Sequence, residues 1–237
     1  MSQASYLARR AQIETYFDNT AAQAWARLTS DAPVGRIRAS VRAGRDRMRE
    51  TLLSWLPADL HGARVLDAGC GTGALSVEAA RRGAQVLAID LSPTLVDLAR
   101  ERQPRELQVP NAPRGIDFRA GDMLDPALGH FDFIVCMDSL IHYRCEDAVR
   151  VVASLAQRSR SALLMTFAPS NPALIAFRAI GRTFPRGQRA PWIEPVAERS
   201  LRRRLESEAQ LASWRCGRTQ RVASGFYTSQ ALELLKS

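Results

Sequence analysis

No stretch of about 18 uninterrupted apolar residues occurs in the 237-residue chain, which excludes a membrane-spanning helix. Met1 to Arg10 carry no apolar run after their charges, so no secretory signal is expected and the chain reads as cytoplasmic. The four cysteines, Cys70, Cys136, Cys145 and Cys216, fall in no Cys-x-x-Cys or Cys/His ligand spacing. Reduced thiols are expected, and a zinc site is not. Internal repeats and low-complexity segments are also missing. Lysine is nearly absent: Lys236 is the only one, so arginine carries almost all of the formal net charge of +9. That bias fits either a solvated basic surface or attraction to an anionic partner, whether nucleic acid, an anionic lipid surface or an acidic small molecule. What remains is globular composition, 46% hydrophobic and 24% charged, in a length that suits one large α/β domain with at most an appendage.

Residues 1–60 read as a helical, polar arm and cap, with Arg36, Arg38, Arg42, Arg45, Arg47 and Arg49 crowded together. Ile37, Val41 and Met48 lie near helical spacing, and Leu52, Leu53, Trp55 and Leu56 form an apolar cluster that Pro57 stops. From residue 61 strands and helices alternate. Strands are expected at Arg64–Asp67, Gln85–Asp90, Ile116–Arg119, Phe131–Met137 and Ala162–Phe167, with helices at Ala74–Arg82, Pro93–Arg102 and Glu146–Gln157. This rhythm predicts a doubly wound α/β fold built on a mostly parallel sheet. Residues 168–212 are expected to hold a proline- and arginine-rich lid or substrate-binding insertion, with a helix around Glu198–Glu208. Two β-like runs, Trp214–Val222 and Phe226–Leu234, suit an antiparallel hairpin at the sheet edge.

The sharpest local signal is Asp67-Ala68-Gly69-Cys70-Gly71-Thr72-Gly73, entered by a strand and left by a helix. Glycines there permit unusual backbone angles and let the main chain approach a ligand. Asp90 stands at the end of the next strand, where a carboxylate accepts the hydroxyls of an adenosine ribose. Gly69-x-Gly71-x-x-Ala74 also fits the dinucleotide fingerprint, so a nicotinamide enzyme is the rival. Asp67 before the glycines suits a ligand with an α-amino group and no pyrophosphate, which favours S-adenosylmethionine. A lone histidine is usually structural; His142, one of three, follows the fourth strand, whose carboxyl end faces the ligand in such sheets.

These segments resemble class I S-adenosylmethionine-dependent methyltransferases, with a Rossmann-like, seven-stranded sheet. The resemblance implies cofactor contacts by Asp67, Gly69, Cys70, Gly71, Gly73, Asp90, Leu91 and Met137. It also implies that Asp122 bonds the adenine amino group and that Met123 packs on the ring. Across nearly its full length the chain resembles the magnesium-protoporphyrin IX O-methyltransferases of chlorophyll and bacteriochlorophyll synthesis. That resemblance rests on Tyr16-Phe17-Asp18-Asn19-Thr20 with Trp25, on Arg38–Gly44, and on Ile141-His142-Tyr143. Thr166-Phe167-Ala168-Pro169 and Phe226-Tyr227 with Leu232-Glu233 complete it. Thr29 stands where members commonly carry tyrosine.

Tyr16, Trp25, Arg38 and His142 are expected to contact the porphyrin, with His142 and Tyr143 as the catalytic pair that orients the propionate and arginines of the N-terminal arm or lid holding the second propionate. The implied partners are magnesium-protoporphyrin IX, the porphyrin-binding subunit of magnesium chelatase and a membrane surface, with no protein-bound metal and no nucleic acid. A propionate carboxylate of pKa about 4.3 is ionised at neutral pH, so the expected reaction is a positioned in-line attack on the sulfonium methyl, without a strong base. Three alternatives stand beside it: an RNA methyltransferase, a quinone-type small-molecule methyltransferase, and a non-catalytic S-adenosylmethionine sensor. Met137-Asp138-Ser139-Leu140 in place of Asn-Pro-Pro-aromatic argues against an exocyclic amine of a base.

Overall fold

A computed structural model describes residues 3–16, 29, 35–108, 115–170 and 193–237. Its seven strands lie in the order β3-β2-β1-β4-β5-β7-β6. They are β1 (Arg64–Ala68), β2 (Gln85–Asp90), β3 (Gly115–Ala120), β4 (Phe131–Cys136), β5 (Ser159–Phe167), β6 (Trp214–Ser224) and β7 (Tyr227–Lys236). The first five are parallel, and β7 runs antiparallel between β5 and β6. The expected mostly parallel sheet with its terminal hairpin is therefore what forms. β1, β4 and β5 are buried on both faces, which is why they read as apolar runs without clear alternation. The outer strand β6 instead exposes Arg215 and Arg221 along the open edge, where charge discourages pairing with another sheet.

Helices cover both faces. On one side α2 (Arg36–Trp55), α3 (Ala74–Arg81) and α4 (Pro93–Glu101) bury Met48, Leu52, Ala79 and Val96 against Val65 and Leu164. On the other, α5 (Cys145–Ala156) and α6 (Glu198–Glu206) bury Val152, Leu155, Leu201 and Leu205 against Leu66 and Leu163. Neighbours such as Leu163 and Leu164 serve opposite layers because successive strand side chains point to opposite faces. Local chemistry starts α4: Pro93 occupies its first turn, and Ser92 Oγ accepts from Leu95 N–H at 3.3 Å. A final helix, α1 (Gln3–Tyr16), buries Ile13 against the α5 side of the core.

In residues 36–60, Met48, Leu52, Leu53, Leu56 and Leu60 are part of the same core as the sheet, so the apolar face of this segment covers it. Within 168–212, Leu201 and Leu205 of α6 and Leu211 pack in the core, while 171–192 fall outside the described residues. Trp25 also lies outside them. All four cysteines are free thiols, and among the described residues no helix is long and apolar enough to cross a membrane.

Gly44 sets how closely α2 approaches β7. A Cβ at this position would lie 2.8 Å from Tyr227 Cβ and Cγ, which real Cβ contacts do not tolerate. Replacing a helical glycine by alanine ordinarily stabilises by about 1 kcal/mol. Here Gly44→Ala should destabilise by about 1–3 kcal/mol through overpacking and lower the melting temperature by roughly 5 °C. A melting temperature that rises would contradict this packing.

Candidate active site

The glycine loop after β1 is bound to the end of β2, since Gly69 N–H and Cys70 N–H both donate to Ile89 O, at 2.8 and 3.0 Å. Gly69 adopts φ +87, and a Cβ there would strike Ser139, so the loop and the segment after β4 meet backbone to side chain. Asp90 is wedged beside this loop. Its Oδ2 accepts from Gly71 N–H at 2.9 Å and its Oδ1 from Ser92 N–H at 3.0 Å. Desolvation pushes its pKa up, and the amides of Ser92, Gly71 and Leu91 oppose that shift.

A cleft of about 650 Å³, open mouth included, runs from this loop across the carboxyl ends of the strands. Gly69, Gly71, Asp90 and Gly121 line one end, with apolar walls from Ile89, Leu91, Leu95, Met123 and Met137. A carboxylate beside a glycine turn between apolar walls is suited to a nucleoside: the acid takes a diol and the walls take a flat ring. Arg45, Asp138, Ser139, His142 and Tyr143 line the other end, and Ile13 of α1 closes over the mouth. α1 is held there by ion pairs from Arg9 to Glu194 (3.3 Å) and from Arg10 to Asp122 (2.7 Å). Glu194 N–H in turn donates to Ile141 O at 2.8 Å, which joins the segment before α6 to the His142 turn.

The second end is organised by Asp138, the only described non-glycine residue with positive φ (+54). Left-handed backbone is costly for a side chain, though least so for Asp and Asn. Several contacts hold Asp138 there. Its N–H donates to Thr166 Oγ1 at 2.7 Å, and that hydroxyl donates back to Oδ1 at 3.1 Å. Ser229 Oγ donates to Oδ1 at 3.1 Å, Tyr227 OH approaches both oxygens at 3.1–3.2 Å, and Arg45 Nη1 donates to Oδ2 at 2.7 Å. Only 6% of the Asp138 side chain and 19% of the Arg45 side chain is exposed, so this is a buried ion pair solvated by hydroxyls. Burial, and then the charge of Asp138, push the Tyr227 hydroxyl well above the usual phenol range, so it stays protonated and donates.

Of the expected site residues, the structure brings Gly69, Gly71, Asp90, Leu91, Met123, Met137, His142 and Tyr143 together along one cleft. It does not bring the others to the cleft wall. Asp67 is buried and accepts from Ser76 Oγ at 2.6 Å, so it braces the loop from behind. Cys70 and Gly73 shape the same loop without lining the cleft. Asp122 Oδ1 accepts from Leu124 N–H and its Oδ2 from Arg10, leaving Gly121 and Met123 as the lining neighbours. Arg38 is exposed on α2; Arg45, two turns along, reaches the cleft instead. Tyr16 is half-buried at the end of α1 and outside the lining, and Thr29 accepts from Arg102 near the end of α4. Sequence reasoning named Arg45 only within the group of arm arginines and missed Asp138. The only available signal was an Asp directly after a buried strand, opposite an otherwise undifferentiated run of arginines.

Burial raises the Asp67 carboxyl from 3.8 to about 7, with the Ser76 hydrogen bond opposing and Asp90 reinforcing the shift. Between those values the folded protein keeps a proton that the unfolded chain has released, so wild-type stability falls as pH rises through the window. Asp67→Asn keeps a partner for Ser76 and removes this dependence. Denaturant unfolding at about pH 5 and about pH 8 should show the variant gaining on wild type by a few kcal/mol toward the higher pH. An equal difference at both pH values would contradict the assignment.

Comparison with known proteins agrees with this geometry. A family model described as magnesium-protoporphyrin IX methyltransferase C-terminus matches residues 136–236, and a methyltransferase domain model matches residues 65–161. The magnesium-protoporphyrin O-methyltransferase of Rhodobacter capsulatus is 49% identical over 230 residues, covering 96% of this chain and 97% of that one. The Synechocystis protein of the same name is 30% identical and covers 95% of each chain. The crystal structure of magnesium protoporphyrin IX methyltransferase from Synechocystis with bound SAH superposes with a TM-score of 0.81 at 29% identity, covering 96% of this chain and 100% of that one. With its nucleoside-shaped cleft end and its full-length kinship, the chain belongs to the magnesium-protoporphyrin O-methyltransferase family of class I methyltransferases.

Proposed function

We propose that the chain transfers a methyl group from S-adenosylmethionine to a propionate carboxylate of magnesium-protoporphyrin IX, giving the monomethyl ester in chlorophyll or bacteriochlorophyll synthesis. The observation that carries this reading is the cleft that joins a nucleoside end at Asp90 to a polar end with His142, Tyr143 and the Arg45–Asp138 ion pair. When bound, S-adenosylmethionine supplies an electrophilic methyl on a sulfonium. Asp90 takes the ribose hydroxyls, Met123 and Leu95 face the adenine, and the Gly69–Gly71 backbone and Met137 flank the remainder. Asp122 serves by holding Met123 through Leu124 N–H and by anchoring α1 through Arg10.

The acceptor carboxylate is ionised at neutral pH and attacks in line, so the residues at this end bind, orient and exclude water. His142 and Tyr143 are the orienting pair. His142 is 8% exposed, which lets it approach a carboxylate with little competing water. Tyr16, one helical turn beyond Ile13, is proposed to meet the porphyrin ring, and Trp25 retains that role by resemblance alone. The ring magnesium belongs to the substrate. Among the described residues no cluster of His, Cys, Asp or Glu is arranged to hold a metal. We also propose peripheral contact with a membrane and receipt of the porphyrin from magnesium chelatase. In support of the first, Ile37 and Phe226 are exposed among Arg36 and Arg38, where Phe226 N–H donates to Ser40 Oγ.

The test is methyl transfer from labelled S-adenosylmethionine to magnesium-protoporphyrin IX, with metal-free porphyrin, a quinone precursor and bulk RNA as parallel acceptors. Label is expected in the magnesium porphyrin, and Asp90→Ala should abolish both transfer and S-adenosylhomocysteine binding. His142→Ala should lower kcat by about 100-fold or more with cofactor affinity nearly unchanged. Label found only in RNA or the quinone would overturn the acceptor, and undiminished kcat in the His142 variant would remove its role.

A further inference from the structure

The hairpin that completes the sheet reaches past its ligand edge. β5 ends at Phe167 opposite Gln230, and β7 begins three residues earlier. Tyr227, Thr228 and Ser229, paired with β6, therefore rise about 10 Å beyond the carboxyl end of β5. Within this arm the side chains divide. Tyr227 turns inward, and its hydroxyl meets Asp138 on the cleft wall, whereas Phe226 is 69% exposed. The turn that displays Phe226 is fixed. Gly225 has φ +54, a Cβ there would lie 2.7 Å from Ser40 Cβ, and Phe226 N–H donates to Ser40 Oγ. Ile37, 56% exposed, stands one helical turn before Ser40 on α2. Arg36 and Arg38 flank it, both exposed and without an ion pair among the described residues, and no acidic residue lies between Gly35 and Arg45.

We propose that Phe226 and Ile37 form an acceptor-binding ledge at the rim of the cleft, on which the macrocycle lies while one propionate reaches in toward His142; this rests on the function proposed above. Arg36 and Arg38 supply positive charge for the propionate that does not react. Size calls for such a support. The cleft of about 650 Å³, open mouth included, is of the order that holds one small-molecule ligand, and the nucleoside takes one end of it. A tetrapyrrole ring therefore rests largely on the rim, and beside the acceptor end that rim is built by the hairpin and α2. Ile37 stands about 12 Å along α2 from Arg45 on the cleft wall. An exposed apolar patch bordered by polar residues is the usual mark of a ligand-binding surface, and an aromatic side chain packs well on a flat ring. Phe226 is displayed by a turn that is already fixed, so little order has to be imposed on binding. A bilayer touching the same side chains and a bound ring would exclude one another.

The experiment compares wild type with Phe226→Ser, Phe226→Trp, Ile37→Ser and a variant with both Arg36→Gln and Arg38→Gln. Fluorescence titration gives the Kd of magnesium-protoporphyrin IX and of its dimethyl ester, which lacks both carboxylates. Steady-state kinetics give KM and kcat, and calorimetry gives the Kd of S-adenosylhomocysteine. Phe226→Ser should raise both porphyrin Kd values at least about fivefold, the diester as much as the diacid, because the contact it removes is apolar. KM should rise likewise, with kcat and S-adenosylhomocysteine affinity within about twofold of wild type, and Phe226→Trp should retain wild-type values. The arginine variant should weaken the diacid about two- to fivefold and leave the diester unchanged, the range for exposed charges. Should Phe226→Ser also lose S-adenosylhomocysteine, Ile37→Ser carries the same comparison. Unchanged porphyrin Kd and KM in the Phe226 and Ile37 variants would overturn the ledge. So would loss of binding to phosphatidylglycerol vesicles with both porphyrin affinities intact, which would assign the patch to lipid. Wild type that methylates no porphyrin would instead overturn the function itself, so the two failures are distinguishable.

Discussion

A carboxylate buried at the end of a parallel strand is costly unless its charge is met, and Asp138 is met from three directions. Arg45 comes from α2, Tyr227 and Ser229 from β7, and Thr166 from β5. Removing one partner of such a buried pair typically costs 3–5 kcal/mol, because the other charge is left uncompensated. This one side chain therefore fixes several things at once: the left-handed turn that leads to His142, the seating of α2 on β7, and the guanidinium on the cleft wall. The terminal hairpin extends the sheet and also contributes two of the hydroxyl donors.

The cofactor end follows a different rule. There the work is done by backbone: glycine amides and Ile89 O shape the loop, and Asp90 binds amides at both of its oxygens. Burial raises the cost of charge on both Asp67 and Asp90, and the charge of Asp90 adds to it on Asp67. A cationic ligand beside Asp90 would offset that cost at the cleft wall. Ile13 of α1 lines the same cleft as Asp90 and the Arg45–Asp138 pair.

Much of this was legible because it is local. Apolar runs marked the strands, Pro93 marked a helix start, and the spacing of the glycines to Asp90 marked the nucleoside end. What escaped depends on which way a side chain turns or on what lies far along the chain. Asp67 has the right identity in the right motif, yet it faces Ser76 and the core. Arg38 and Arg45 are indistinguishable within a basic helix until β7 decides which face is covered, and Gly44 gives no hint of Tyr227 without the fold. Leu201 and Leu205 sit in a stretch whose prolines and arginines suggest a lid, but two buried leucines at helical spacing were enough to place α6 in the core.

The central claim is that Asp138 and Arg45 act as one unit in building the acceptor end of the cleft. A double-mutant cycle on kcat/KM for magnesium-protoporphyrin IX, using Arg45→Gln, Asp138→Asn and the pair together, tests it most directly. The account predicts that the double variant loses little more than the worse single one, a coupling of at least about 1 kcal/mol. Losses that add to within about 0.3 kcal/mol would show two independent residues and contradict it.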